Sequence, residues 1–186
     1  MVKIVGIDYG AQTSGNTVIA HKEEHRVHLI QIPQKKHTDT WLQAQLLDLK
    51  SDVVYLDAPL SLPLAFSGLG DNFHYRKCDQ LTKAMSPLFL GGLTARAMQL
   101  KHDLSSLIFH EVYPAFFQSE RIGSLHYKNN MDLFLDDLHK THPFQLQHSP
   151  DNWHQVDALI ALLIGQRHQQ KKHREVGNPQ EGIIII

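Results

Sequence analysis

The sequence predicts an α/β fold, a sheet flanked by helices, and three observations carry that expectation. Val2 to Asp8 reads V-K-I-V-G-I-D and Asp52 to Asp57 reads D-V-V-Y-L-D, short β-branched apolar runs of the kind that form buried strands. Ile108 to Val112, I-F-H-E-V, is a third run of the same type. Helical periodicity fills the intervals, most clearly after Asn152, where Trp153, Val156, Ile160, Leu163 and Ile164 fall on one apolar stripe.

The first strand runs into Tyr9-Gly10 and a small, turn-prone segment through Asn16. An unpaired carboxylate inside a dry sheet is costly, so Asp8 is expected at the strand's C-terminal end, where open α/β sheets hold their ligands. Thr17 to Ala20 and His25 to Ile32 supply two further strands, and three successive strands with short turns make a meander. Thr38 or Asp39 starts a helix to about Lys50, with Leu42, Leu46 and Leu49 on one face. The strand ending at Asp57 repeats the opening device, an apolar run that delivers an aspartate, and Pro59 and Pro63 stiffen its exit.

Residues 58–107 read as an inserted loop-helix region between two strands of one domain spanning 1–186. A long loop to Asn72 leads to helices around His74 to Met85 and from Thr94 to about Ser105. The strand Ile108 to Val112 places Glu111 near its end. A polar helix covers Met131 to Lys140, and the long apolar helix follows, with Asp157 one turn in. The stretch Gln166 to Arg174 reads as a frayed helix end or exposed tail, and the closing I-I-I-I as a last strand or hydrophobic clasp.

Composition narrows the function. With 186 residues the chain can bury a core without staples, and a net charge of −1 gives it no overall drive toward nucleic acid or membranes. Fourteen histidines are scattered along the chain, and a histidine-built metal cage is not expected. Cys78 is alone, which excludes an internal disulfide and fits a reducing cytoplasm; it reads as a packing residue rather than a nucleophile. No apolar run approaches the ~18 residues needed to span a bilayer, and Met1 leads directly into a strand, so a cytoplasmic location is expected.

Asp8, Asp57, Glu111 and Asp157 are then the candidate site, three at strand ends and one on the following helix. Two carboxylates at ~4 Å repel by roughly 4 kcal/mol at an effective dielectric of ~20, so such a cluster binds a proton or a cation. Oxygen donors without convergent sulfur or imidazole select hard ions, Mg²⁺ or Mn²⁺, and two such ions can drive phosphodiester cleavage.

These residues also carry a resemblance. G-I-D-Y-G, Y-L-D-A-P-L-S-L-P, H-E-V-Y-P-A and V-D-A-L-I-A-L, in that order and with the closing E-G-I-I-I-I, resemble the bacterial and archaeal family called "domain of unknown function 429". That family is regarded as predicted nucleases of the ribonuclease H-like fold. The resemblance implies a five-stranded mixed sheet whose first three strands are antiparallel, and acids at Asp8, Asp57, Glu111 and Asp157. By analogy with resolvase-type relatives of that fold, His154, three residues before Asp157, is a candidate metal ligand or general base.

Arg76, Lys77 and Arg96, in the insert, are candidates for gripping a substrate phosphate. The leading expectation is a Mg²⁺- or Mn²⁺-dependent nuclease acting on DNA or RNA. An alternative comes from the actin and sugar-kinase superfold, whose turn after the first strand contacts nucleotide phosphates; Tyr9 to Thr17 would serve. Those proteins duplicate the domain, so this reading calls for a homodimer. A noncatalytic scaffold of the same fold is the third reading, favoured by the neutral charge.

Overall fold

The computed structural model describes residues 2–186. The chain opens with three strands, β1 (Ile4–Asp8), β2 (Val18–Glu23) and β3 (Arg26–Gln31), followed by helix α1 (Thr38–Asp48) and β4 (Val53–Asp57). The segment after β4 holds a 3₁₀ turn (Leu64–Ser67), α2 (Lys77–Thr82), α3 (Pro87–Leu90) and α4 (Gly92–Asp103). Strand β5 (Ile108–Val112) precedes α5 (Pro114–Phe117), a π turn (Gln118–Ile122), α6 (Met131–Thr141) and α7 (Trp153–Gln169). The chain closes with the hairpin β6 (Glu175–Asn178) and β7 (Gly182–Ile185).

The sheet is mixed and seven-stranded, in the order β3-β2-β1-β4-β5-β7-β6. Antiparallel pairs join β1, β2 and β3, as expected, whereas β4, β5 and β7 run parallel to β1. The strand count of five is corrected to seven. β7 is the closing isoleucine run, and β6 follows directly on the stretch expected to be a tail, where no element was expected; with a glycine at 177 and no apolar alternation, it is specified by pairing with β7 rather than by its own pattern.

Strand alternation divides the core into two faces. Val5, Ile7, Val54 and Leu56 pack with Leu42 and Leu46 of α1 and Ala97 and Leu100 of α4. Val53, Tyr55 and Val112 face the other way, toward α7 and the aromatic residues Phe117 and Phe134. Helix α7 is buried along most of its length, from Gln155 to Gly165, and its N-terminus is capped by Asn152, whose side chain accepts the Gln155 N–H at 3.1 Å. It lies directly on β1 because Gly6 leaves room: a Cβ there would collide with the backbone of Ala158, Ala161 and Leu162. Further along, Gly165 makes way for the Tyr55 ring in the same manner. No helix of the described residues is long and apolar enough to cross a membrane.

The insert is less helical than its sequence suggests. Its first helix shrinks to Lys77–Thr82, and Thr94 lies inside α4 rather than capping it; its hydroxyl donates to the Pro87 carbonyl at 2.8 Å.

Candidate functional site

The site is built where β1, β4 and α7 meet. β1 and β4 are parallel neighbours in a register that makes Asp8 and Asp57 direct partners. Side chains two apart on a strand share a face, so Asp8 follows Gly6 and Asp57 follows Tyr55 onto the α7 side of the sheet. Asp157, on the first turns of α7, is held over the same rim by the close packing that Gly6 allows.

The electrostatics are those of crowded acids. Burial, then the charges of Asp8, Asp157 and Glu111, push the Asp57 carboxyl well above the usual range. Burial also raises Asp157, although Lys128 and Tyr127 act against it. The Tyr127 hydroxyl donates to Asp157 Oδ1 at 2.7 Å, and the Lys128 ammonium is paired with Oδ2. His154 Nδ1 lies 2.8 Å from Asp8 Oδ2, and this hydrogen bond raises the imidazole's proton affinity against the opposing effect of burial. Among the described residues the ring's Nε2 has no partner within hydrogen-bond reach, and the side chain is 41% exposed.

Glu111 stands apart from this group. Its register partner is Leu56, one residue short of Asp57, so its side chain leaves the sheet on the opposite face. There both of its oxygens are engaged by Arg76, at 2.6 and 2.7 Å, and Oε2 also accepts the Leu60 N–H at 2.9 Å. The expectation that Glu111 shares ligand duty with the aspartates is revised accordingly. It acts on Asp57 through space and ties down the loop that leaves it.

Arg76 is likewise no surface phosphate grip. It is fully buried and forks between Glu111 and Asp79, with a further hydrogen bond to Ser61 Oγ at 2.9 Å. Burial alone would weaken its charge, but Glu111 and Asp79 outweigh burial and raise its proton affinity. Arg96 makes a bidentate pair with Asp39 at 2.7 and 2.9 Å, reaches the Gly10 carbonyl at 3.2 Å and lies over the Tyr9 ring, so it braces the turn after β1. Of the three cations, Lys77 alone is exposed with its ammonium outside any ion pair among the described residues.

The donor chemistry of Asp8, Asp57 and Asp157 suits a hard divalent ion, and burial together with the neighbouring acids raises the proton affinities of Asp57 and Asp157. Their oxygens are not drawn to a single point. Among the described residues, the trio of potential ligands whose atoms all lie within 4.8 Å of one another is Cys78, Asp79 and Glu111. There the Arg76 guanidinium already supplies the cation, and burial pushes the Cys78 thiol up to about 12, consistent with a packing role.

The contacts of Tyr127 and Lys128 with Asp157 have no signature in the sequence, because a turn about 30 residues upstream must fold back onto α7 before they meet. The scattered histidines, too, are partly gathered by the fold: His110 and His168 lie at 4.5 Å between ring centroids, and His168 and His173 at 4.3 Å. Comparison of the chain with family profiles, with curated proteins and with solved structures gives no match.

Proposed function

We propose that the protein is a metal-dependent phosphodiesterase acting on nucleic acid, with a ribonuclease H-like core. The carrying observation is the register of Asp8 and Asp57 on adjacent parallel strands, with Asp157 facing them from α7. The antiparallel β1–β3 meander continuing into parallel β4 and β5 supports this reading, within a sheet of seven strands rather than five. The order of motifs, which resembles that of the "domain of unknown function 429" family, supports the same reading.

In this reading Asp8, Asp57 and Asp157 hold Mg²⁺ or Mn²⁺. The ion, when bound, lowers the pKa of a coordinated water and neutralises charge developing on the phosphate. His154 orients Asp8 through Nδ1 and leaves Nε2 to receive a proton from water. Glu111 fixes the loop beyond Asp57 through Leu60 and the buried Arg76. The nucleotide-binding alternative is weakened at its own turn, since the Gly10 N–H it would offer to a phosphate already donates to Thr17 Oγ1 at 2.9 Å.

The test is a Mn²⁺ and Mg²⁺ titration followed by thermal melting, with cleavage assays on single- and double-stranded DNA and RNA. A genuine site stabilises by about 2.7 kcal/mol at a hundredfold excess of ion over Kd. Asp57→Asn should abolish both that gain and cleavage. Absence of any shift in the wild type at millimolar ion would overturn the proposal.

A further inference from the structure

The acid cluster contains a cation of its own. Lys128 lies on the turn between the π segment and α6, its side chain 45% exposed, and its ammonium reaches down to Asp157 Oδ2. Two aromatic faces hold it there: the ammonium lies 5.2 Å from the Tyr127 ring centroid and 5.7 Å from that of Trp153. Those rings contact each other edge-to-face at 5.6 Å, and Tyr127 bonds the other oxygen of the same carboxylate. Asp157 therefore has one oxygen on a hydroxyl and one on an ammonium, so an incoming ion must either share these oxygens or displace their partners.

The influence of Lys128 extends beyond Asp157. It moderates the effect of burial and neighbouring acids on Asp57, and it opposes protonation of His154. The ammonium thus occupies one oxygen of Asp157, which a divalent ion held by the same acid would also use. Like charges at such range exclude one another by several kcal/mol.

We propose that Lys128 is the resident counter-cation of the Asp8–Asp57–Asp157 cluster and competes directly with the divalent ion for Asp157. The inference rests on the metal-site reading above and adds to it a built-in control of metal affinity. With the ion absent, Lys128 keeps the acids compensated and the rim folded. Ion binding displaces the ammonium, which its long flexible stem and exposed turn allow to swing outward over the Tyr127–Trp153 shelf. The protein then loads only above a threshold ion concentration set by this exchange.

Calorimetric Mn²⁺ titrations and melts in EDTA on the full chain test it, using the wild type, Lys128→Met, Lys128→Gln and Lys128→Arg. Removal of the charge should tighten Mn²⁺ binding roughly tenfold in both neutral variants, with Lys128→Arg close to the wild type. In EDTA the neutral variants should melt lower, and adding Asp57→Asn should restore part of the loss, since one fewer acid then needs compensation. Wild-type binding with neutral variants that bind equally or more weakly overturns the competition and leaves the metal site standing. No binding by any of the proteins overturns the metal site and the competition together. A neutral variant that fails to fold is judged by Lys128→Arg and its melt in Mn²⁺: competition requires that saturating ion bring the neutral variants' melting point up to that of the loaded wild type, and a persistent deficit overturns it.

Discussion

Asp8 and Asp57 are direct partners in the parallel pairing of β1 and β4, and both side chains leave the sheet on the face covered by α7. Adjacent strands lie about 4.8 Å apart, so the two carboxylates cannot both stay ionised there without cost.

That cost makes the first prediction. The Asp57 carboxyl is raised in the folded protein by burial and by Asp8, Asp157 and Glu111, whereas in the unfolded chain it returns to its ordinary value of 3.8. A raised acid contributes stability below the unfolded value and loses it as pH rises through the folded one. At neutral pH without metal, Asp57→Asn should therefore be more stable than the wild type. Urea denaturation in EDTA measures it; a less stable variant would show that the acids are not in conflict.

A second prediction concerns the closeness of α7 to β1. Gly6→Ala puts a Cβ into the backbone of Ala158 and Leu162, rigid atoms that cannot turn aside. Overpacking of this kind costs about 1–3 kcal/mol or more, and here the helix must shift as a body. Asp157 shifts with it, so Gly6→Ala should weaken Mn²⁺ stabilisation as well as lower the melting point. An unchanged melting point would mean that the helix stands farther off than described.

Much of this site was legible in the sequence, and the part that was not has a specific cause. Asp8 and Asp57 end apolar strands and Asp157 falls one turn into an apolar helix, so local pattern alone nominates them. Glu111 looked equivalent because it also nears a strand end, but β5 pairs with β4 one residue out of phase with that expectation, and a one-residue offset reverses the face. Register is a long-range property. Arg76 misled for a related reason: arginine is exposed by default, and its burial depends on Glu111, which is 35 residues away. β6 escaped notice because its pattern is too weak to specify a strand without β7.

The buried fork of Arg76 supports a third prediction. Breaking a buried ion pair by removing one partner costs about 3–5 kcal/mol, because the remaining charge is stranded. Arg76→Met should approach that loss with Glu111 and Asp79 left facing each other, and Arg76→Lys should recover little, since one ammonium cannot reproduce a fork that serves both acids. The double variant Arg76→Met with Glu111→Gln should regain part of the stability. Equal stability of Arg76→Met and the wild type in urea would sink this account.

The last prediction comes from the histidines gathered at the far end of α7. His110 of β5 stacks on Tyr55 at 5.3 Å between centroids and meets His168 of α7 edge-on, while His168 Nδ1 is 2.8 Å from the Tyr55 hydroxyl. His173 completes the row; its Nδ1 is buried without a hydrogen-bond partner among the described residues, and Glu175 lies 3.7 Å from its Nε2. Burial, then the neighbouring His168, push His110 down to about 4 from 6.5; Glu175 opposes this, and His173 and Lys101 add to it. Burial and His173 lower His168 as well. A depressed histidine contributes stability that is fully present above its unfolded value and is lost as pH falls, because the unfolded chain then binds the extra proton. The window is therefore from about 6.5 down to about 4, above the range in which Asp39, held below the usual carboxylate value by Arg96 and Tyr9 despite burial, gives up its own contribution. The loss from His110 should be on the order of 2 kcal/mol after allowance for its partial exposure. Melting curves across that window measure it directly. His110→Phe keeps the ring stack on Tyr55 without the titrating nitrogen and should flatten the slope, and an undiminished slope would place the acid sensitivity elsewhere in the protein.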